Sequence, residues 1–120
     1  MPESMEFLEE RLLVGASGRE YRFHAYRRKG PIAPGPALYV LGYLHPRGHI
    51  GGNHLVPLYL GMAEDLRAVL EDHPAAACLR FELCNCVCLP AEPLDAFGMT
   101  DWFQDLNAAL ALPCGHDALG

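Results

Sequence analysis

Nothing in the chain approaches the roughly 18 consecutive apolar residues that a membrane-crossing helix needs, so no membrane partner is expected. Met1 to Glu10 has neither a basic head nor an apolar stretch of leader length, which points to the cytoplasm. Basic residues are also scarce: nine Lys and Arg stand against fifteen Asp and Glu, a formal net charge of −6. A protein whose affinity comes from neutralising phosphates usually carries a basic surface, so this balance lowers the expectation of tight nucleic-acid binding. The deficit is uneven. Residues 1–60 hold seven basic groups against five glutamates, whereas residues 61–120 hold two against ten acids. Arg27-Arg28-Lys29, with Arg19 and Arg22 upstream, is the local basic run, best read as a solvated strand end. The Cys-x-x-Cys spacing of zinc sites is missing. Five cysteines without a secretion signal therefore read as reduced thiols packed as small hydrophobes. There is no internal repeat and no low-complexity tract.

What is present suffices for one small domain: 120 residues, of which 51% are hydrophobic, can build a single core. Leu12 to Gly15 and Glu20 to Arg28 flank Ala16-Ser17-Gly18-Arg19, which reads as a β-hairpin, although Met5 to Leu13 also has the makings of a short helix. In the second arm Tyr21, Phe23 and Ala25 alternate with Arg22, His24 and Tyr26, the period of a half-buried strand. Pro31, Pro34 and Pro36 then break the chain before a strand over Ala37 to Leu44. His45 to Pro57 reads as a Gly-rich loop and Leu58 to Gly61 as a short strand. Met62, Leu66, Val69, Leu70 and His73 form one stripe at helical spacing, closed by Pro74. Phe81 to Leu89 is expected as a strand. The last helix is expected over Asp101 to Leu112, with Thr100 as N-cap and Phe103, Leu106 and Leu110 on one face.

Two tyrosine segments organise this pattern, Ala37-Leu38-Tyr39 and Leu58-Tyr59-Leu60-Gly61, followed by the helical stripe ending at His73. The arrangement resembles the core of the GIY-YIG nuclease superfamily. The opening Gly15 to Phe23 and the closing Asp105 to Gly115 also look like the flanks of its small stand-alone bacterial members. The resemblance covers residues 12–116, leaving 1–11 as an N-terminal extension and 117–120 as a C-terminal tail. The tyrosines lie 20 residues apart, where the family has about half that. The resemblance implies an α+β fold, a small and mainly antiparallel sheet flanked by helices.

Phosphodiester hydrolysis builds negative charge on the phosphoryl and leaving oxygens, which a divalent ion and a fixed cation must meet. The resemblance makes Tyr39, Tyr59 and His73 the candidate catalytic residues and Gly61 the tight turn of the second motif. It also exposes two departures. The arginine expected ten residues after Tyr59 is Val69, and the metal-holding glutamate of the last helix becomes Phe103. Arg67 is rotated by roughly 200° from that arginine position, and Asp101 and Asp105 flank Phe103 on turned-away positions. Each loss is expected to cost on the order of 10²- to 10³-fold in rate.

Two further constellations carry less. Cys84, Cys86 and Cys88 alternate along the expected strand, so all three would share one face about 6.6 Å apart at Cα. Thiolates around one zinc sit under roughly 4 Å apart, so buried thiols are the better reading. His45, His49 and His54 in the loop are weak candidates for a transition metal. The function expected from the sequence is thus a GIY-YIG-type domain with a degenerate site, a non-catalytic binding or interaction module needing no cofactor. The alternatives are a weak endonuclease using Mg or Mn through an unrecognised acid, and a metal-binding protein using the loop histidines. Nucleic acid and protein are both open as partners.

Overall fold

In the computed structural model, residues 5–46 and 53–117 are described. The chain is α+β. Its strands are β1 (Phe7–Val14), β2 (Glu20–Arg27), β3 (Ala37–Pro46), β4 (Asn53–Ala63) and β5 (Cys86–Pro90), and its helices α1 (Leu66–Glu71), α2 (Ala76–Phe81) and α3 (Ala96–Ala109). The sheet has the order β1-β2-β5-β3-β4, with each neighbouring pair antiparallel. It curls enough for its two edges to touch at one end: Arg11 donates to the Asn53 carbonyl, and the Asn53 amide donates to Glu9.

Both faces of the sheet are covered, so its central strands alternate between two cores rather than between core and water. On one side Phe23, Leu38, Val40, Leu60, Cys86 and Cys88 pack against Trp102, Phe103 and Leu106 of α3. On the other, Tyr26, Tyr39, Leu41, Leu58, Tyr59 and Val87 pack against Leu66 and Leu70 of α1 and Leu79 of α2. The β3–β4 register shifts between Leu41 and Gly42, which pair with Tyr59 and Pro57. The bulge leaves Leu58 unpaired, puts Leu58 and Tyr59 into the same core, and accommodates a proline that cannot donate to a regular ladder.

The hairpin is present, and β1 runs back to Phe7 rather than forming a helix. Four other expectations are corrected. The helical stripe does not begin at Met62, which pairs with Leu38 in the ladder; β4 continues to Ala63 and α1 spans six residues, leaving His73 beyond its end. The loop expected over His45 to Pro57 is mostly strand, β3 reaching Pro46 and β4 starting at Asn53. The strand expected from Phe81 is a helix, a turn and then β5 from Cys86, because Leu83 adopts a left-handed φ of 64° that breaks extended pairing. The last helix starts at Ala96, where the Asp95 carboxylate accepts the Gly98 N–H at 2.7 Å, and Thr100 lies inside it, donating to the Ala96 carbonyl.

The cysteines also differ from expectation. Cys78 of α2 and Cys114 form a disulfide, whereas Cys84, Cys86 and Cys88 are free. Cys86 and Cys88 face the α3 core, but Cys84 precedes β5 and packs in the other core, so the three do not share a face. The spacing of 36 residues between Cys78 and Cys114 hid the pair from sequence reasoning. The bridge secures a C-terminal arm along the outer edge of β4. There the Cys114 N–H donates to the Leu58 carbonyl, Leu60 donates to Gly115, and Asp117 donates to Leu60. The arm thus pairs part of an edge that would otherwise present open hydrogen-bonding groups.

Closing a loop of this length removes roughly 3–4 kcal/mol of unfolded-state entropy in the chain-entropy model. Reduction is therefore expected to lower unfolding free energy by about 2–4 kcal/mol and to speed amide exchange at Leu60, Met62 and Asp117 first. Urea titration and hydrogen exchange with and without reductant measure both; equal protection at these amides would place the arm's anchorage outside the disulfide.

Candidate functional site

Tyr39 and Tyr59 lie on neighbouring strands and on the same face, offset by two residues, since Tyr39 is opposite Gly61 and Leu41 opposite Tyr59. Their rings stack at 6.2 Å with an interplanar angle of 19°. His73 closes this group edge-on, with its ring 4.4 Å from that of Tyr59 and 6.0 Å from that of Tyr39. The helix α1 delivers it: Leu66 and Leu70 anchor the turn of helix in the core, and the chain leaving that helix turns His73 inward. All three side chains are buried, with relative exposures of 0% for Tyr39 and 5% for both Tyr59 and His73.

Burying three polar groups requires each to be hydrogen-bonded. The Ala75 N–H donates to His73 Nδ1 at 3.0 Å, so in the neutral ring the proton resides on Nε2. That Nε2–H then donates to Tyr39 Oη at 2.9 Å. The Tyr59 hydroxyl donates to Asp117, whose second carboxylate oxygen accepts the Met62 N–H at 2.7 Å. Burial pushes both tyrosine hydroxyls well above their usual range, and the Asp117 charge adds to this for each. Burial likewise lowers the His73 pKa; the Asp117 charge opposes that shift and Arg28 reinforces it. The site at neutral pH therefore holds two neutral phenols and a neutral imidazole.

Gly61 has a steric role. A Cβ there would meet Cζ and Oη of Tyr39 at 2.5 Å, so the phenol ring lies across the glycine. Val69, at the place of the expected arginine, is half-buried against the same core. Phe103 is in the core on the opposite side of the sheet, on α3 with Leu106 and Trp102. Phe103 lines, with His116 and Asp117, a cavity of about 340 Å³. Of the loop histidines, His45 and His54 are opposite each other in the β3–β4 ladder with ring centroids 5.3 Å apart, and His49 lies outside the described residues. Among the described residues no three His, Cys, Asp or Glu side chains are grouped as a metal site.

Asp117 is the member that sequence reasoning missed, set aside in the tail. Its only signal was an acid following Gly115, and nothing local says that the arm returns to β4. The acids flanking Phe103 also have partners: Asp101 pairs with Arg19 at 3.3 Å. Asp105 accepts from the Ser17 N–H, the Ser17 hydroxyl and the Tyr21 hydroxyl, which hold its carboxyl below the usual range. Tyr21, buried beside it, is raised to about 12.

No family model matches the chain, and neither a curated protein nor a solved structure matches it.

Two outcomes follow from this packing. Gly61→Ala is expected to cost about 1–3 kcal/mol, because Tyr39 is held by Tyr59 and His73 and has no space to retreat; urea unfolding measures it, and a loss under ~0.5 kcal/mol would contradict the close approach. Because the folded His73 binds its proton less readily than the unfolded chain, whose ordinary value is 6.5, stability is full above that pH and falls as the pH drops below it. Asp105 adds its own loss only further into acid, below its ordinary 3.8. His73→Gln should flatten the first of these limbs in melting temperature against pH; an unchanged limb would assign the titration to another group.

Proposed function

We propose that this chain is a domain of GIY-YIG type whose catalytic site is degenerate, and that it works as a non-catalytic binding or interaction module. One observation carries the reading: the hydroxyls of Tyr39 and Tyr59 are buried and bound to His73 and Asp117. A phosphodiester would have to displace those partners to reach them. Val69 offers no cation for phosphoryl charge, and Phe103 is an apolar core residue where a carboxylate would be buried without a partner. The tyrosine and histidine frame then serves as a polar brace inside a core. The reading keeps the domain in the cytoplasm without a cofactor. The Cys78–Cys114 disulfide of the arm is uncommon in that compartment, and the arm is also held by its backbone bonds and by Asp117.

A second reading has one observation in its favour. Asp117 bonds Tyr59, acts electrostatically on Tyr39 and His73, and lines the same cavity as Phe103. It is the acid through which a weak endonuclease could recruit Mg or Mn. Against this, both its oxygens already accept hydrogen bonds, from the Tyr59 hydroxyl and the Met62 N–H.

Incubation of the purified protein with plasmid and single-stranded DNA in Mg or Mn separates the two. No cleavage above a mock preparation is expected. Cleavage lost on both Tyr59→Phe and Asp117→Asn would sink the non-catalytic reading and establish the second.

A further inference from the structure

We propose that the cleft between the end of β2, the end of α2 and the turn into β5 docks a short acidic peptide carrying a large apolar side chain. The inference rests on the interaction-module reading above and names its surface and partner class. Arg27, Arg28 and Lys29 enter the cleft from one side and Arg80 from the other, and Leu83 and Cys84 give it apolar surface. Its volume is about 510 Å³, room for one or two side chains of a partner. Four of the nine basic residues of a chain with net charge −6 thus converge on one cavity, and among the described residues no Asp or Glu lines it.

These cations are differently committed. Arg27 pairs with Glu6 at 2.9 Å, and Arg28 donates to the Leu70 carbonyl at 2.8 Å, which holds its guanidinium in place. Lys29 and Arg80 make no ion pair among the described residues. By contrast Arg19 is engaged with Asp101 and Arg22 with Glu10, so the basic run of the sequence divides, and only its last three residues reach the cleft. Burial raises the Cys84 thiol to about 11, so that part of the wall is neutral.

Apolar side chains stand exposed in and beside the cleft, Leu83 in its lining and Phe81 next to it. Leu83 is 62% exposed and Phe81, at the end of α2, is 83% exposed. Leu83 also adopts φ 64°, a conformation natural to glycine and rare for a leucine. A glycine would make the same turn more easily and lose little burial, so the leucine is better explained by a surface contact than by folding. An aliphatic wall beneath a rim of cations complements an apolar anchor flanked by carboxylates.

A nucleic-acid strand fits less well. It needs a continuing basic track and stacking platforms. Here Arg28, Lys29 and Arg80 also line the adjoining cavity beside His73, where Glu71 and Asp72 interrupt the basic surface, and no aromatic residue lines the cleft itself.

Calorimetric titration of the full chain tests this with a glutamate-rich peptide centred on Leu-Phe, the same peptide with glutamines for glutamates, the same with serines for Leu-Phe, and an oligothymidylate of equal charge. Only the first is expected to bind saturably, and more weakly as salt rises. Lys29→Glu with Arg80→Glu, and separately Leu83→Gly, should each weaken it on the order of tenfold. Leu83→Gly should at the same time leave the melting temperature unchanged or raised. Absence of peptide binding, equal binding of the oligonucleotide, or binding indifferent to Leu83→Gly each overturns the proposal. So does a clear loss of stability in Leu83→Gly, which would make the leucine a structural residue. A protein that cleaves no DNA but fails to bind the peptide refutes this surface alone; metal-dependent cleavage refutes the module reading beneath it.

Discussion

The hydrogen bond from His73 to Tyr39, made inside a core, is the constraint around which one half of the molecule is arranged. For the phenol to reach the imidazole its ring must lie over the neighbouring strand, and only a residue without a Cβ allows that at position 61. The imidazole must arrive as a neutral donor, which the Ala75 N–H secures by occupying Nδ1. Tyr59 fills the remaining side of the group, and its own hydroxyl would be a buried orphan without Asp117. Each member thus creates a requirement that the next one meets, from the strand ladder through α1 to the last described residue of the chain.

This brace explains why the C-terminal arm is part of the fold. Asp117 satisfies Tyr59 and the Met62 N–H together, while residues 114–117 exchange backbone bonds with the edge of β4. The disulfide fixes the same arm to α2, which packs on the tyrosine side of the sheet. The opposite face is held differently, by α3 aromatic and aliphatic side chains and by Asp105 clasping the hairpin turn through Ser17 and Tyr21. The cation that acts on the tyrosine and histidine group is Arg28, held by the Leu70 carbonyl on the cavity that His73 also lines.

The contrast between those two places governs the functional reading. Around the tyrosines the polar groups are enclosed and mutually satisfied, which favours rigidity over chemistry on an incoming phosphate. Around Arg28 and Leu83 charge and apolar surface are exposed together, the combination that recognition uses.

The sequence alone determined the first hairpin and a face of α3 formed by Phe103 and Leu106, because these follow from local periodicity and turn residues; the α+β class came from the resemblance in the order of its elements. The sequence also placed Tyr39, Tyr59 and His73 in one candidate site by a resemblance in their order. Boundaries were less legible. Met62 fits a helical stripe as well as a strand, and ladder pairing with Leu38 decided between them. The role of Asp117, the Cys78–Cys114 bridge, the opposed placement of Phe103, and the convergence of Arg80 with Arg27 to Lys29 came only from tertiary structure. Each depends on residues far apart in the chain meeting across a sheet, a strand edge or a cleft, and such pairings leave no periodic trace in the sequence from which they arise.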